Sequence, residues 1–232
     1  MSFARGTRVA CAVLVLAAAP AAAQVGRVAD LAVVMGDTLA LPGPGAVTGS
    51  THAGGDTLAV LLDVPGDISD SRRREVHLRL FDGGGVLLHD EDMTGVLDRA
   101  LAWDGKAFFA AGDAPDGSSI LYRIEPDSLG ALVVRKAYTA PGHRPMGLAF
   151  DGRYLWLSDR DSGRLDRFDP EVGEFTRTVD APGFSPVGLA WDGQAAWLTD
   201  AGTGRLYRLT GARLRLSGVV DALSFLCRGE DI

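Results

Sequence analysis

From Pro145 to Asp180 the chain reads "PMGLAF", "RYLWLSD", "RLDRFD" and "EFTRTVD", short runs of apolar and polar residues separated by "DG", "RDSG" and "PEVG". Side chains that alternate in character with a period of two, in runs closed by Gly, Pro or Asp, are the pattern of half-buried strands. Connections this short can join only antiparallel neighbours. The pattern therefore predicts four strands in one antiparallel sheet, with no helical stretch between them.

The same pattern recurs. "APGHRPMGLAFDG" at Ala140 matches "APGFSPVGLAWDG" at Ala181, and "SGRLDRFD" at Ser162 matches "TGRLYRLT" at Thr203, a period of 41 residues. A further copy, "RALAWDGKAFFAAGD", aligns Trp103-Asp104-Gly105 on Phe150-Asp151-Gly152 at a spacing of 47. Its surplus divides into three residues between Gly105 and Arg123 and three between Pro126 and Pro141, both in expected turns. A four-stranded unit repeated at about 40 to 45 residues is the signature of a β-propeller blade. The clearest repeats run over 98–143, 144–184 and 185–225. Upstream, "GDTLAVLLD" and "VHLRLFDGGGVLLHDEDM" supply strands of another blade around the loop "SDSRRRE", and "VADLAVVMGDTLALPGPG", Val28 to Gly45, reads as a hairpin. The expected fold is all-β, a propeller of about five blades. The alternatives are four blades with a closing N-terminal hairpin, or part of a larger propeller.

Phe109, Trp156 and Trp197 hold the same place in their repeats and are expected to plug the space between neighbouring blades. Asp104, Asp151 and Asp192 open the Asp-Gly pairs. They are expected to serve two-residue hairpin turns with positive φ at both central positions, a structural rather than catalytic task.

The units "PxGLAWDGxxxWLxD…GRLYRL" resemble the bacterial propellers grouped as streptogramin lyase-like, glutamine cyclotransferase-like and NHL-type, over Ala100 to Thr210. That resemblance implies an exported repeat protein. It carries over no catalytic residue, because the paired His and Glu of the lyase-like members have no counterparts here, and the Asn ligand of calcium-dependent lactonase propellers cannot exist in a chain without asparagine.

Composition narrows the classes further. A basic stub with Arg5 and Arg8, an apolar run from Val9 to Ala19 and "AAAQ" read as a secretory signal peptide, residues 1–23, cut before Gln24. Residues 24–232 then form a single domain in a secreted or periplasmic protein, with no membrane span after cleavage. Net charge is −7, and the leader removes two more cations and no acid, so nucleic acid is not an expected partner. Cys227 would be the only cysteine left, which rules out an internal disulfide and leaves the fold to packing.

Antiparallel connectivity sorts the loops between the two faces of a disc. Second-to-third strand turns and blade-to-blade links share one face, here the link face. It collects Asp63, Asp113, Asp116, Asp159, Arg160, Asp161 and Asp200, with His143-Arg144 and Phe184-Ser185 in the links. His143 near Asp159 and Asp161 is where a base, its orienting carboxylate and a cation could meet. The candidate ligand-binding residues are His143, Arg144, Asp159, Arg160, Asp161, Asp200 and Asp113. No catalytic residue, metal ligand or cofactor is assigned, since "DRDSG" lacks the remaining acids of a calcium loop. His77 and His89 flank a glycine turn and could approach each other across a hairpin. The expected function is binding of a small molecule or a protein through the link face. The alternative is a lyase, cyclotransferase or lactonase-like enzyme on that face. As exposed loop residues, His143, Arg144 and Asp159 are expected to contribute little to stability.

Overall fold

The computed structural model describes residues 45–65, 74–95, 99–113 and 116–221, together with a two-residue pair of strands, β1 (Ala10–Cys11) and β2 (Leu39–Ala40). The signal peptide apart from β1, most of the Val28–Gly45 segment, most of the "SDSRRRE" loop and Cys227 lie outside the described residues.

Sixteen strands form four sheets of four. Blade 1 comprises β3 (Ala46–His52), β4 (Leu58–Pro65), β5 (Arg74–Phe81) and β6 (Leu87–Asp92). Blade 2 comprises β7 (Ala100–Trp103), β8 (Phe108–Asp113), β9 (Ser119–Pro126) and β10 (Leu132–Ala140). Blade 3 comprises β11 (Pro145–Phe150), β12 (Leu155–Asp159), β13 (Arg164–Asp169) and β14 (Glu174–Asp180). Blade 4 comprises β15 (Pro186–Trp191), β16 (Ala195–Asp200), β17 (Arg205–Thr210) and β18 (Arg215–Asp221). Every pairing within a blade is antiparallel and follows chain order. The fold is thus an all-β propeller. The described residues carry four blades, the count of the alternative rather than the favoured five. The inner strand of blade 1 is Ala46–His52, which sequence patterning passes over because "AVTGSTH" holds few apolar residues.

Blades stack face to face in chain order, β3 beside β7, β7 beside β11 and β11 beside β15. Phe109 of blade 2 packs among Leu148, Leu155, Leu157 and Phe168 of blade 3. Trp156 of blade 3 packs among Ala196, Leu198, Tyr207 and Leu209 of blade 4. Both rings are buried, as plugs between blades must be. Among the described residues no packing of that extent joins blade 4 to blade 1. On the face of blade 4 that points onward, exposure departs from the repeat at two positions. Ala102 and Ala149 are buried while their repeat equivalent Ala190 is exposed, and Ala111 and Ser158 are buried while Thr199 is exposed.

The Asp-Gly turns differ from expectation. Phe150 pairs with Leu155, so the connection holds four residues, 151–154, and only its glycine has positive φ. Asp151 acts through its side chain: Oδ1 accepts from the backbone N–H groups of Arg153 and Tyr154 at 2.9 and 2.7 Å, and Oδ2 from Trp156 Nε1 at 2.8 Å. Asp192 repeats this with Gln194, Ala195 and Trp197. A carboxylate that caps the turn's own N–H groups needs no left-handed backbone of its own. These aspartates are structural, and they anchor the blade plugs as well.

Candidate functional site

On the link face, Asp159 is fully buried. Its Oδ2 accepts from the backbone N–H of His143 at 2.9 Å and of Arg144 at 2.6 Å, and its Oδ1 from that of Ser162 at 2.8 Å. Burial alone pushes this carboxyl up; the donors from Ser162, Arg144 and His143 outweigh it and hold the group below the ordinary carboxylate value. Asp200 repeats the device one period later, accepting from Ser185 and Thr203 backbone N–H groups at 2.5 and 2.7 Å. Each carboxylate ties the link entering its blade to its own second turn. The recurrent "APG" follows from the same geometry. A Cβ on Gly142 would stand 2.5 Å from the Asp159 carboxyl carbon, and one on Gly183 would stand 2.6 Å from that of Asp200. Glycine leaves the room, and its positive φ turns the chain.

Asp159 and Asp200 are therefore occupied in holding backbone, and the expectation that Asp159 is an exposed loop residue does not hold. Nor does Asp159 orient the His143 ring. The His143 imidazole instead meets the Gly117 carbonyl through Nδ1 at 3.1 Å. A carbonyl can only accept, so Nδ1 donates, and the neutral form of the ring presents its lone pair at Nε2. Arg144 reaches towards Asp161 at 4.0 Å, with both side chains largely in solvent. Arg160 donates from Nε to Ser185 Oγ at 3.0 Å, tying the blade 3 turn to the next link. Asp113 ends β8, and its side chain lies outside the described residues. His77 and His89 do not approach each other: His77 Nδ1 meets Asp90 at 2.7 Å and His89 Nε2 meets Glu91 at 3.1 Å. Among the described residues no three acidic, histidine or cysteine side chains come together to hold a metal.

What His143 does border is a cavity of about 500 Å³ between the β8–β9 connection and the link from blade 2 to blade 3. Its walls include Asp116, Gly117, Ser118, Ser119, Thr139 and His143. Three of blade 2's surplus residues lengthen the β8–β9 hairpin, whose pairing runs out to Asp113 opposite Ser119, and Asp116, Gly117 and Ser118 from its described part stand on one side of the cavity. Asp116 is spent within that hairpin, accepting from the Ser118 N–H at 2.9 Å and hydroxyl at 2.6 Å. Ser119 is different: its hydroxyl is buried and has no hydrogen-bond partner. Sequence reasoning placed His143 and Asp116 on this face but missed Ser119. The available signal was the insertion itself, which sets blade 2 apart from its repeats.

Asp166 is a second buried polar group that patterning did not single out. Tyr122 and Tyr207 occupy its position in the neighbouring blades. It is 1% exposed, and burial raises its carboxyl above the ordinary value despite the hydrogen bond donated by Thr178.

No protein-family model matches the chain, and no curated protein matches it. Its similarity is to solved structures. The crystal structure of Myxococcus xanthus glutaminyl cyclase superposes with a TM-score of 0.55 at 13% identity, covering 78% of this chain and 73% of that one. The structure of U3-55K superposes with a TM-score of 0.51 at 13% identity, covering 78% of this chain and 56% of that one. At such identities the likeness is one of fold, and it agrees with the blade geometry in making the chain a β-propeller.

Proposed function

We propose that this chain is an exported propeller that binds a small polar ligand in the link-face cavity between the β8–β9 hairpin and the link that follows blade 2. The observation that carries this reading is that the cavity is built where the repeat departs from itself. The lengthened β8–β9 hairpin has no structural counterpart in blades 3 and 4, whereas features that serve packing, such as the Trp–Asp pair and the Asp159 clamp, recur with the period. A role demanded by the fold repeats; a role demanded by a ligand need not. The lone pair on His143 Nε2 selects a ligand group that donates a hydrogen bond, such as a hydroxyl or an amide. The blade pattern supports kinship with streptogramin lyase-like, glutamine cyclotransferase-like and NHL-type propellers.

The test is a thermal-shift screen of the purified chain for stabilising small molecules, followed by calorimetric titration of those found. His143→Ala is expected to weaken binding about tenfold, the loss of one well-placed hydrogen bond, with the melting temperature unchanged. Arg213→Ala, in the β17–β18 turn on the opposite face, is expected to change neither. If Arg213→Ala abolishes binding while His143→Ala binds normally, the link-face reading fails.

A further inference from the structure

On the opposite face, between blades 2 and 3, lies a groove of about 320 Å³ that includes Arg123, Glu125, Arg135, Lys136, Tyr138 and Glu171 in its lining. It too coincides with a departure from the repeat. In each blade the outer strand carries a β-bulge, and the bulged residue is Leu88 in blade 1, Thr176 in blade 3 and Ser217 in blade 4. Thr176 and Ser217 are hydroxyls that serve their blades. Thr176 Oγ1 receives Arg167 Nε at 3.0 Å, and Ser217 Oγ receives Arg208 Nη1 at 3.4 Å and donates to the Arg208 carbonyl at 3.0 Å. In blade 2 the bulged residue is Arg135. The blade's own arginine, Arg123, is held instead by Glu125 through Nε and Nη2, both at 2.7 Å, and spans to the Pro170 carbonyl of blade 3 at 3.3 Å.

Arg135 is thus released from the blade's internal bonding, keeping only an Nη2 contact to the Pro126 carbonyl at 3.2 Å. Lys136, one of two lysines in the chain, sets its ammonium 5.0 Å from the centre of the Tyr138 ring. Gly173 faces both from blade 3, and a Cβ there would stand 3.0 Å from the Tyr138 ring and 3.6 Å from Lys136 Nζ. Among the described residues no ion pair joins Arg135 or Lys136 to a carboxylate. With Arg123 neutralised by Glu125, the groove holds two adjacent cations against Glu171 alone, in a protein whose net charge is −7. Adjacent unpaired cations beside a phenol hydroxyl, in a recess, are the chemistry that takes up an oxyanion.

We propose that this groove is a second binding site, specific for the oxyanion of a small molecule, with Arg135 and Lys136 as its charged ligands and Tyr138 as its wall. It is independent of the link-face site. The experiment is calorimetric titration of the full chain at low ionic strength, with inorganic phosphate in one arm and citrate in the other. Saturable binding is expected in at least one arm, and the arm that binds distinguishes phosphate from carboxylate. Arg135→Gln and Lys136→Gln are each expected to weaken it about tenfold without moving the melting temperature, and Glu171→Gln to strengthen it. Arg213→Gln removes an exposed cation from the same face of blade 4 and is expected to leave it unchanged. The proposal is overturned if neither anion binds saturably up to about 10 mM. It is equally overturned if Arg213→Gln weakens binding as much as the groove variants do, since the attraction would then belong to the surface at large.

Discussion

At the scale of single residues, the link face is organised by carboxylates that look catalytic in the sequence and act as clamps in the fold. Asp159, itself buried, satisfies three part-buried backbone N–H groups, and removing it strands them. A buried donor left without a partner costs about 1–3 kcal/mol, so Asp159→Ala is expected to destabilise the protein by about 3 kcal/mol or more, measured by denaturant unfolding. An effect within surface-mutation range would mean that the link is held by other contacts. The same clamp sets an acid limit. The folded-state value of Asp159 lies below its unfolded value of about 3.9, so its contribution is fully present above that value and is lost as pH falls through the folded one. Wild-type stability should therefore decline below about pH 4, and the Asp159→Asn variant should show a shallower decline over that window.

At the scale of the blade, Trp156 joins the sheets of blades 3 and 4, and in both Trp156 and Trp197 the polar edge ties the ring to the turn of its own sheet. Trp156 is 1% exposed and Trp197 4%, and each donates its Nε1 hydrogen to the aspartate that caps the first turn. Trp156→Ala and Trp197→Ala are each expected to cost about 3–5 kcal/mol in thermal unfolding, the range for large aromatic truncation in a packed interior. A cost below about 1 kcal/mol for Trp156 would show that blade 3 and blade 4 are held together by something other than this plug. The arginine directly opposite on the adjacent strand completes the unit, with Arg208 standing 5.9 Å from the centre of the Trp197 ring and Arg123 5.8 Å from that of Phe109.

At the scale of the whole molecule, the two faces of the disc divide the chemistry, a mixed-charge link face with the His143 cavity and an opposite face with the Arg135–Lys136 groove. Both are lined by residues of blade 2, the blade that carries both insertions, and the groove adds the β13–β14 turn of blade 3. Export is part of the proposed function and has its own test. Intact mass of the protein recovered from the exported fraction is expected to begin at Gln24. Recovery of a product retaining residues 1–23 would remove the basis for placing it outside the cytoplasm.

The sequence by itself determined the strand pattern, the antiparallel order within a blade, the repeat period and the assignment of loops to faces, because alternation and short connections leave the backbone few choices. The four strands of blade 3 end within two residues of where their apolar runs end. Sequence also marked Phe109 and Trp156 as plugs between blades and Trp197 as a buried ring, since packing repeats when blades repeat. Only the tertiary structure decided what the polar residues do. Asp159 and His143 are sixteen positions apart in the chain, and nothing in their spacing tells whether the carboxylate meets an imidazole or a backbone amide. The same holds for Ser119, for Asp166 and for the groove around Arg135, whose neighbours come from two blades. A hydrogen bond is set by direction and by tenths of an ångström, and those belong to how the blades pack, which hydrophobic periodicity does not encode.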